Sequence, residues 1–205
     1  FGDAVRLEVP ENCPTAISDF LLQQFQLTDN ELYRVNGPVN LVRLMSVPDM
    51  VARKELKFAS YVPQYPAALR KSPCLLDEIA QGDILLHHPY QTFEPVVKFI
   101  HDSAHDPDVV AIKMTIYRTG SDSELVKALL AAAEAGKQVT VGAELMARFD
   151  EANNVKWARR LEEAGAHVVY GVFGYKVHAK MALVIRREAG SLHAYAHLGT
   201  GNYHQ

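Results

Sequence analysis

The sequence predicts an α/β fold, a mostly parallel or mixed sheet with helices on both faces. Three observations carry the prediction. From about residue 83 onward, short β-branched apolar runs alternate with segments of helical period. The links between them are short, so β-α-β units follow, with parallel strands and covering helices. Hydrophobic residues make up 48% of the 205 and charged residues 22%, enough to bury a proper core.

Taken in order, "VRLEVP" alternates like a strand. "PTAISDFLLQQFQLT" spaces Ile17, Phe20, Leu21 and Phe25 as a helical stripe, with Thr15 or Ser18 as cap candidates. "RVNGPVNLVRLMSVPDM" reads as a turn, at most a short helix, and a breaker; the proline-rich "YVPQYPAALRKSP" reads as an extended connector. "DILLHHPY" is expected as a short strand. "TFEPVVKFIHDSAH" is expected as a helix capped by Thr92, with Pro95 in its first turn. "DVVAIKMTIYR" is a buried strand, and "SDSELVKALLAAAEAGK" a helix with a Ser or Asp cap and a stop at Gly136. "QVTVGAEL" is a strand, "NNVKWARRLEEAGA" a helix ending at Gly165, and "HVVYGV" a strand. "KVHAKMALVIRR" and "LHAYAHLGT" are two further strands, joined by a hairpin through "EAGS".

The formal net charge of −3 excludes binding of bulk nucleic acid through a basic surface, so any anionic ligand needs a local cationic site. Cys13 and Cys74 lack metal or redox spacing and read as reduced cytosolic thiols. No apolar run reaches membrane-spanning length. The chain opens on "FGDAVRLEVP" without Met and stops at "GTGNYHQ", which reads as a fragment of a longer protein.

In an open parallel sheet, ligands gather at the carboxyl ends of the strands. Those ends read "IYRTGSDS", "ELMARFDE" and "GVFGYKVHAK", and they bring Arg118, Arg148, Lys176, His178 and Lys180 toward one edge. Between Met146 and Arg187 eight Lys or Arg face four Asp or Glu. Arginine offers a planar fork of donors for phosphate oxygens, and histidine can act as a nitrogen nucleophile or a proton donor. Period-two alternation predicts Lys176, His178 and Lys180 on one face, with Val177, Ala179 and Met181 packed inward on the other. Taken alone, a histidine in a strand is ordinarily a hydrogen-bonded structural residue; three consecutive cationic strand ends set this one apart. In "GTGN", Gly199 and Gly201 allow close backbone approach and Asn202 offers an amide. His87 and His88 read as loop residues. His193 and His197 share a strand face without the partners a zinc site needs. Asp122 and Glu124 read as helix capping.

"HHPYQTFEPVVKFIHDSAH…IYRTGSDS…ELMARFDE…KVHAK…HLGTGNY" closely resembles the polyphosphate kinase family of the first, ATP-dependent type. The resemblance covers residues 75 to 205 strongly and the first 70 more loosely. It implies that residues 1–72 are the C-terminal part of a head/middle domain plus linker. Residues 73–205 are then most of the first of two phospholipase D-like catalytic domains. It implies reversible transfer of the terminal phosphate of ATP to inorganic polyphosphate, with His178 becoming a phosphohistidine. Arg118 and Arg148 match the phosphate and Mg²⁺ site, and Lys180 and Asn202 complete the constellation. ATP/ADP and polyphosphate are the implied partners, with Mg²⁺ as cofactor and no nucleic acid. The full-length enzyme is implied to be homo-oligomeric and cytoplasmic, with room for peripheral membrane association. The wider phospholipase D pattern places an Asp five residues after the motif lysine; here Ile185 stands there. The second catalytic domain and part of the adenine pocket have no counterpart in the 205 residues, so the fragment alone is expected to be inactive. Two other readings remain at this point, a phospholipase D-like phosphodiesterase and a non-catalytic polyphosphate-binding module.

Overall fold

The computed structural model describes residues 3–118, 122–144, 151–172 and 174–203. The chain divides into two compact units, Phe1–Ser60 and Tyr61–Gln205.

In the first unit, β1 (Leu7–Pro10) pairs in parallel with β2 (Leu32–Val35), and α1 (Thr15–Gln24) connects them. The expected apolar stripe of α1 does not face a core, since Ile17, Phe20 and Phe25 are exposed and Leu22 is buried instead. Neither Thr15 nor Ser18 caps the helix, which starts after Pro14. Ser18 is a buried interior residue: its hydroxyl donates to Thr15 O at 2.9 Å and accepts from Arg34 Nη2 at 2.9 Å. That use of the hydroxyl inside the helix removes it from the cap. A 3₁₀ segment (Leu41–Ser46) and the one-turn α2 (Val47–Met50) follow.

The second unit holds α3 (Leu75–Ile79), α4 (Glu94–His105), β3 (Val109–Ile116), α5 (Glu124–Glu134), β4 (Gln138–Ala143), α6 (Glu151–Glu163), β5 (His167–Tyr170), β6 (Lys180–Glu188) and β7 (Ser191–Gly199). The five strands form one mixed sheet in the order β5-β4-β3-β6-β7. β3, β4 and β5 are parallel; β6 runs antiparallel to β3 and to β7. The local signals act as the residue types dictate. Ser123 Oγ accepts from Val126 N, and Gly136 and Gly165 take the positive φ that ends α5 and α6. Ala189 and Gly190, both at positive φ, close the β6-β7 hairpin.

Two expectations are corrected. "DILLHHPY" forms no strand: Leu85 is 91% exposed, and the segment is tied as a loop by Gln91, whose N donates to His87 O while its Oε1 accepts from His87 N. Sheet burial is also one-sided. Both crossovers step the same way along the sheet, and with right-handed connections this puts α5 and α6 over one face. There α4, α5 and α6 bury Ile112, Met114, Val141, Ala182 and Val184. The opposite face carries Lys113, Val169, Met181, Leu192 and Leu198 in exposed positions, so among the described residues the helices do not cover both faces. Among the described residues no helix is long and apolar enough to cross a membrane.

Candidate active site

The topology brings four chain segments to one sheet edge. Thr115 and Ile116 pair with Gly142 and Ala143, so β3 and β4 end side by side and release Tyr117-Arg118 and Glu144 there. Because β6 is antiparallel to β3, it begins at that same edge, and Lys180 pairs with Gly199 at the end of β7.

β6 starts only at Lys180, so Lys176 to Ala179 are not strand residues. Side-chain bonds hold this irregular stretch. Val177 N donates to Glu144 Oε2 at 2.8 Å. Thr115 Oγ1 donates to Ala179 O at 2.6 Å and lies 3.1 Å from Met181 N, which donates to it. The expected alternation is therefore corrected. Lys180 is 4% exposed and shares its face with the core residues Ala182 and Val184, while Met181 is 42% exposed on the open face. His178 and Ala179 are both exposed.

Lys180 reaches back from that buried position. Its ammonium donates to His178 O at 2.8 Å and lies 3.0 Å from His178 Nδ1 and 2.9 Å from Nε2. Burial pushes the Lys180 pKa down, the Arg118 charge pushes it the same way, and Tyr117 opposes both. Beneath them lies Tyr117, 7% exposed. The His178 ring stands edge-on to it, centroids 4.7 Å apart at 77°. Lys180 Nζ, Lys176 Nζ and the Arg118 guanidinium lie 4.9, 5.4 and 5.5 Å from the Tyr117 centroid. Asn154 of α6 fixes the strand ends from below: its Nδ2 donates to Tyr117 O and to Glu144 O, each at 2.8 Å.

His178, Lys180, Lys176 and Arg118 are thus brought together as their strand-end positions predicted. Arg148 lies outside the described residues. Asn202 sits three residues beyond Gly199, in a turn tied by His197 Nδ1 and the Tyr203 hydroxyl at 2.9 Å. A Cβ at Gly199 would meet His197 Cε1 at 3.1 Å, so a larger residue there would require the His197 ring to shift by a few tenths of an ångström. Arg118 Nε and Asn202 Oδ1 are buried without a hydrogen-bond partner among the described residues. Such atoms call for an explanation, and an absent polar ligand is one. Not every cation of the basic stretch comes here. Arg186 pairs with Val109, at the opposite end of β3, and is held by Asp77 and Asp106 at 2.8 and 2.9 Å. Arg160 lies over Trp157 on α6.

Among the described residues, no group of three or more His, Cys, Asp or Glu is placed to hold a metal ion. A guanidinium has no acceptor atom, so Arg118 fits phosphate oxygens and cannot itself ligate Mg²⁺. Sequence reasoning missed Tyr117, Thr115, Glu144 and Asn154. For Tyr117, Thr115 and Glu144 the available signal was adjacency to the cationic strand ends; Asn154, within α6, carried none.

Residues 74–205 match the family model of the polyphosphate kinase C-terminal domain 1, and residues 1–47 that of the polyphosphate kinase middle domain. The chain is 68% identical over 205 residues to a polyphosphate kinase of Neisseria meningitidis serogroup A, covering 100% of this chain and 30% of the relative. It is 56% identical over 207 aligned residues to one of Burkholderia cenocepacia, covering 99% and 30%. The crystal structure of polyphosphate kinase from Porphyromonas gingivalis superposes with a TM-score of 0.76 at 31% identity, covering 100% of this chain and 31% of that one. The chain thus spans about 30% of the length of the curated relatives it matches. A family match across 132 residues (74 to 205) of the 205, together with these relatives, shows that the chain belongs to the polyphosphate kinase family.

Proposed function

We propose that the full-length protein transfers the terminal phosphate of ATP to inorganic polyphosphate, reversibly, through a phosphohistidine at His178. The observation that carries this reading is the exposed His178 ring with the Lys180 ammonium within 3.0 Å of both its nitrogens. In the first step a ring nitrogen lone pair attacks the γ-phosphorus, an N–P bond forms, and the bridging P–O bond breaks with its electrons leaving on ADP. In the second, a terminal oxygen of polyphosphate attacks the same phosphorus and the N–P electrons return to the ring. Phosphoryl transfer needs positioning and charge neutralisation more than covalent machinery. Lys180 and Arg118 supply that charge, each donor contributing about 10²–10³-fold in rate. Arg148 and Asn202 complete the phosphate contacts in this reading. Arg118 and Arg148 would hold the nucleotide phosphates in this reading, and Mg²⁺ carried by the nucleotide would supply further charge neutralisation.

We assign residues 1–72 to the end of the middle domain plus its connector, and 73–205 to most of the first catalytic domain. The isolated chain, at about 30% of its relatives' length, binds polyphosphate without turning it over in this reading. The test is incubation of the full-length protein with γ-labelled ATP. An acid-labile, base-stable label on His178 is expected, and it disappears in His178→Ala. Label persisting in that variant overturns the proposal.

A further inference from the structure

We infer that Tyr117 is a positioning residue of this site: its ring face holds the His178 imidazole and the surrounding cations in register. The inference rests on the phosphohistidine reading for its kinetic consequence, and on geometry alone for the positioning.

Lys176, Lys180 and Arg118 carry like charges around one histidine, and Lys180 is almost fully buried. Left to themselves they repel, and burial adds a desolvation cost. An aromatic face carries negative quadrupolar potential and attracts cations within about 6 Å of its centroid. All three cations lie inside that limit of the Tyr117 ring. The His178 ring stands nearly perpendicular to the same Tyr117 ring, centroids 4.7 Å apart at 77°, a T-shaped contact of the kind aromatic pairs favour. The terminal torsion of histidine is broad, so an exposed His178 needs an external restraint to present one nitrogen. Tyr117 supplies it. Its own position is over-determined, since it follows β3 directly and its carbonyl accepts from Asn154 Nδ2 at 2.8 Å.

The ring face, not the hydroxyl, does this positioning, so the conservative variant discriminates. In the full-length protein with γ-labelled ATP, Tyr117→Phe keeps the single-turnover rate of His178 labelling within about 2-fold. Tyr117→Leu loses about 10- to 100-fold in that rate, the scale of a small misplacement of a reacting group. The ATP concentration at half-saturation stays unchanged in both. A Leu variant that labels at the parent rate, or a Phe variant that falls as far as Leu, overturns the inference. Should Tyr117→Leu fail to fold, Tyr117→Met takes its place with the same thresholds. If the parent protein takes no label, the phosphohistidine reading fails and the crystal structure of the aliphatic variant decides the positioning alone. Displacement of the His178 ring and of Lys180 Nζ supports it. An ammonium still within 3.0 Å of both ring nitrogens overturns it.

Discussion

Asn154→Leu removes the clamp under the strand ends. Asn154 is 1% exposed, and its Nδ2 donates to two carbonyls, Tyr117 O and Glu144 O, both at 2.8 Å. Leucine shares the branched outline of asparagine but has no donor. Each neutral hydrogen bond contributes about 1 kcal/mol net, and each buried acceptor stranded without a donor costs about 1–3 kcal/mol. Loss of Oδ1, itself without a partner among the described residues, and the added methyl surface return part of this. The net expectation is a loss of about 2–4 kcal/mol. Asn154→Asp sets a carboxylate oxygen against the two carbonyls and is expected to cost at least about 1 kcal/mol more. The assay is urea denaturation followed by the fluorescence of Trp157. That residue is the one tryptophan in the sequence, buried about one turn further along α6. At a slope of about 2 kcal/mol per M, the midpoint falls by about 1–2 M with the slope unchanged. A Leu variant within about 0.5 kcal/mol of the parent, or an Asp variant no worse than Leu, would refute the clamp.

Three further outcomes follow from the same geometry. Lys180 has its pKa lowered by burial first and by Arg118 next, so its charged form costs stability in the fold. That cost is full below the folded pKa and disappears as pH rises to 10.5; the stability of the parent relative to Lys180→Met should therefore climb through the alkaline range up to that value. His197 has its pKa lowered by burial first and by His88 next, so the stability it contributes is present above pH 6.5 and lost as pH falls through the folded value. His197→Gln should flatten that acid slope in urea midpoints measured on either side of 6.5. Thr115→Val keeps shape but removes the hydroxyl that bonds Ala179 O and Met181 N. A loss of about 1–2 kcal/mol is expected by denaturation, together with slower labelling of His178 in the full-length protein.

Much of this was legible in the residues. Alternating and helical periodicities located β3 to β7 and α4 to α6 because each must turn an apolar stripe toward the same core, and a stripe is a local property of sequence. Ser123, Gly136, Gly165 and the Ala189-Gly190 turn were legible because capping and left-handed backbone depend on one or two residues. Arg118 was found because parallel strands end at a common edge, and His178 and Lys180 because the chain past β5 leads to that edge, where the antiparallel β6 begins. "DILLHHPY" misled because an apolar run becomes a strand only if an edge pairs with it, and here Gln91 ties it as a loop. The stripe of α1 misled because the side of that helix that is buried carries Ser18, bonded by Arg34, together with Leu22, and not Ile17, Phe20 and Phe25.

The sequence by itself determined the order of β3 to β7 and α4 to α6, the family and the chemistry available at one sheet edge, since these depend on residue type and spacing. Only the tertiary structure decided which face each residue of "KVHAK" takes. The strand begins at Lys180, not at Lys176, because Thr115 on the adjacent β3 and Glu144 just past the end of β4 bond the preceding backbone. Those contacts join residues 33 and 64 positions apart, beyond any local pattern. They turn Lys180 into the core-side layer and leave His178 exposed above Tyr117, where its nitrogens can meet a phosphate.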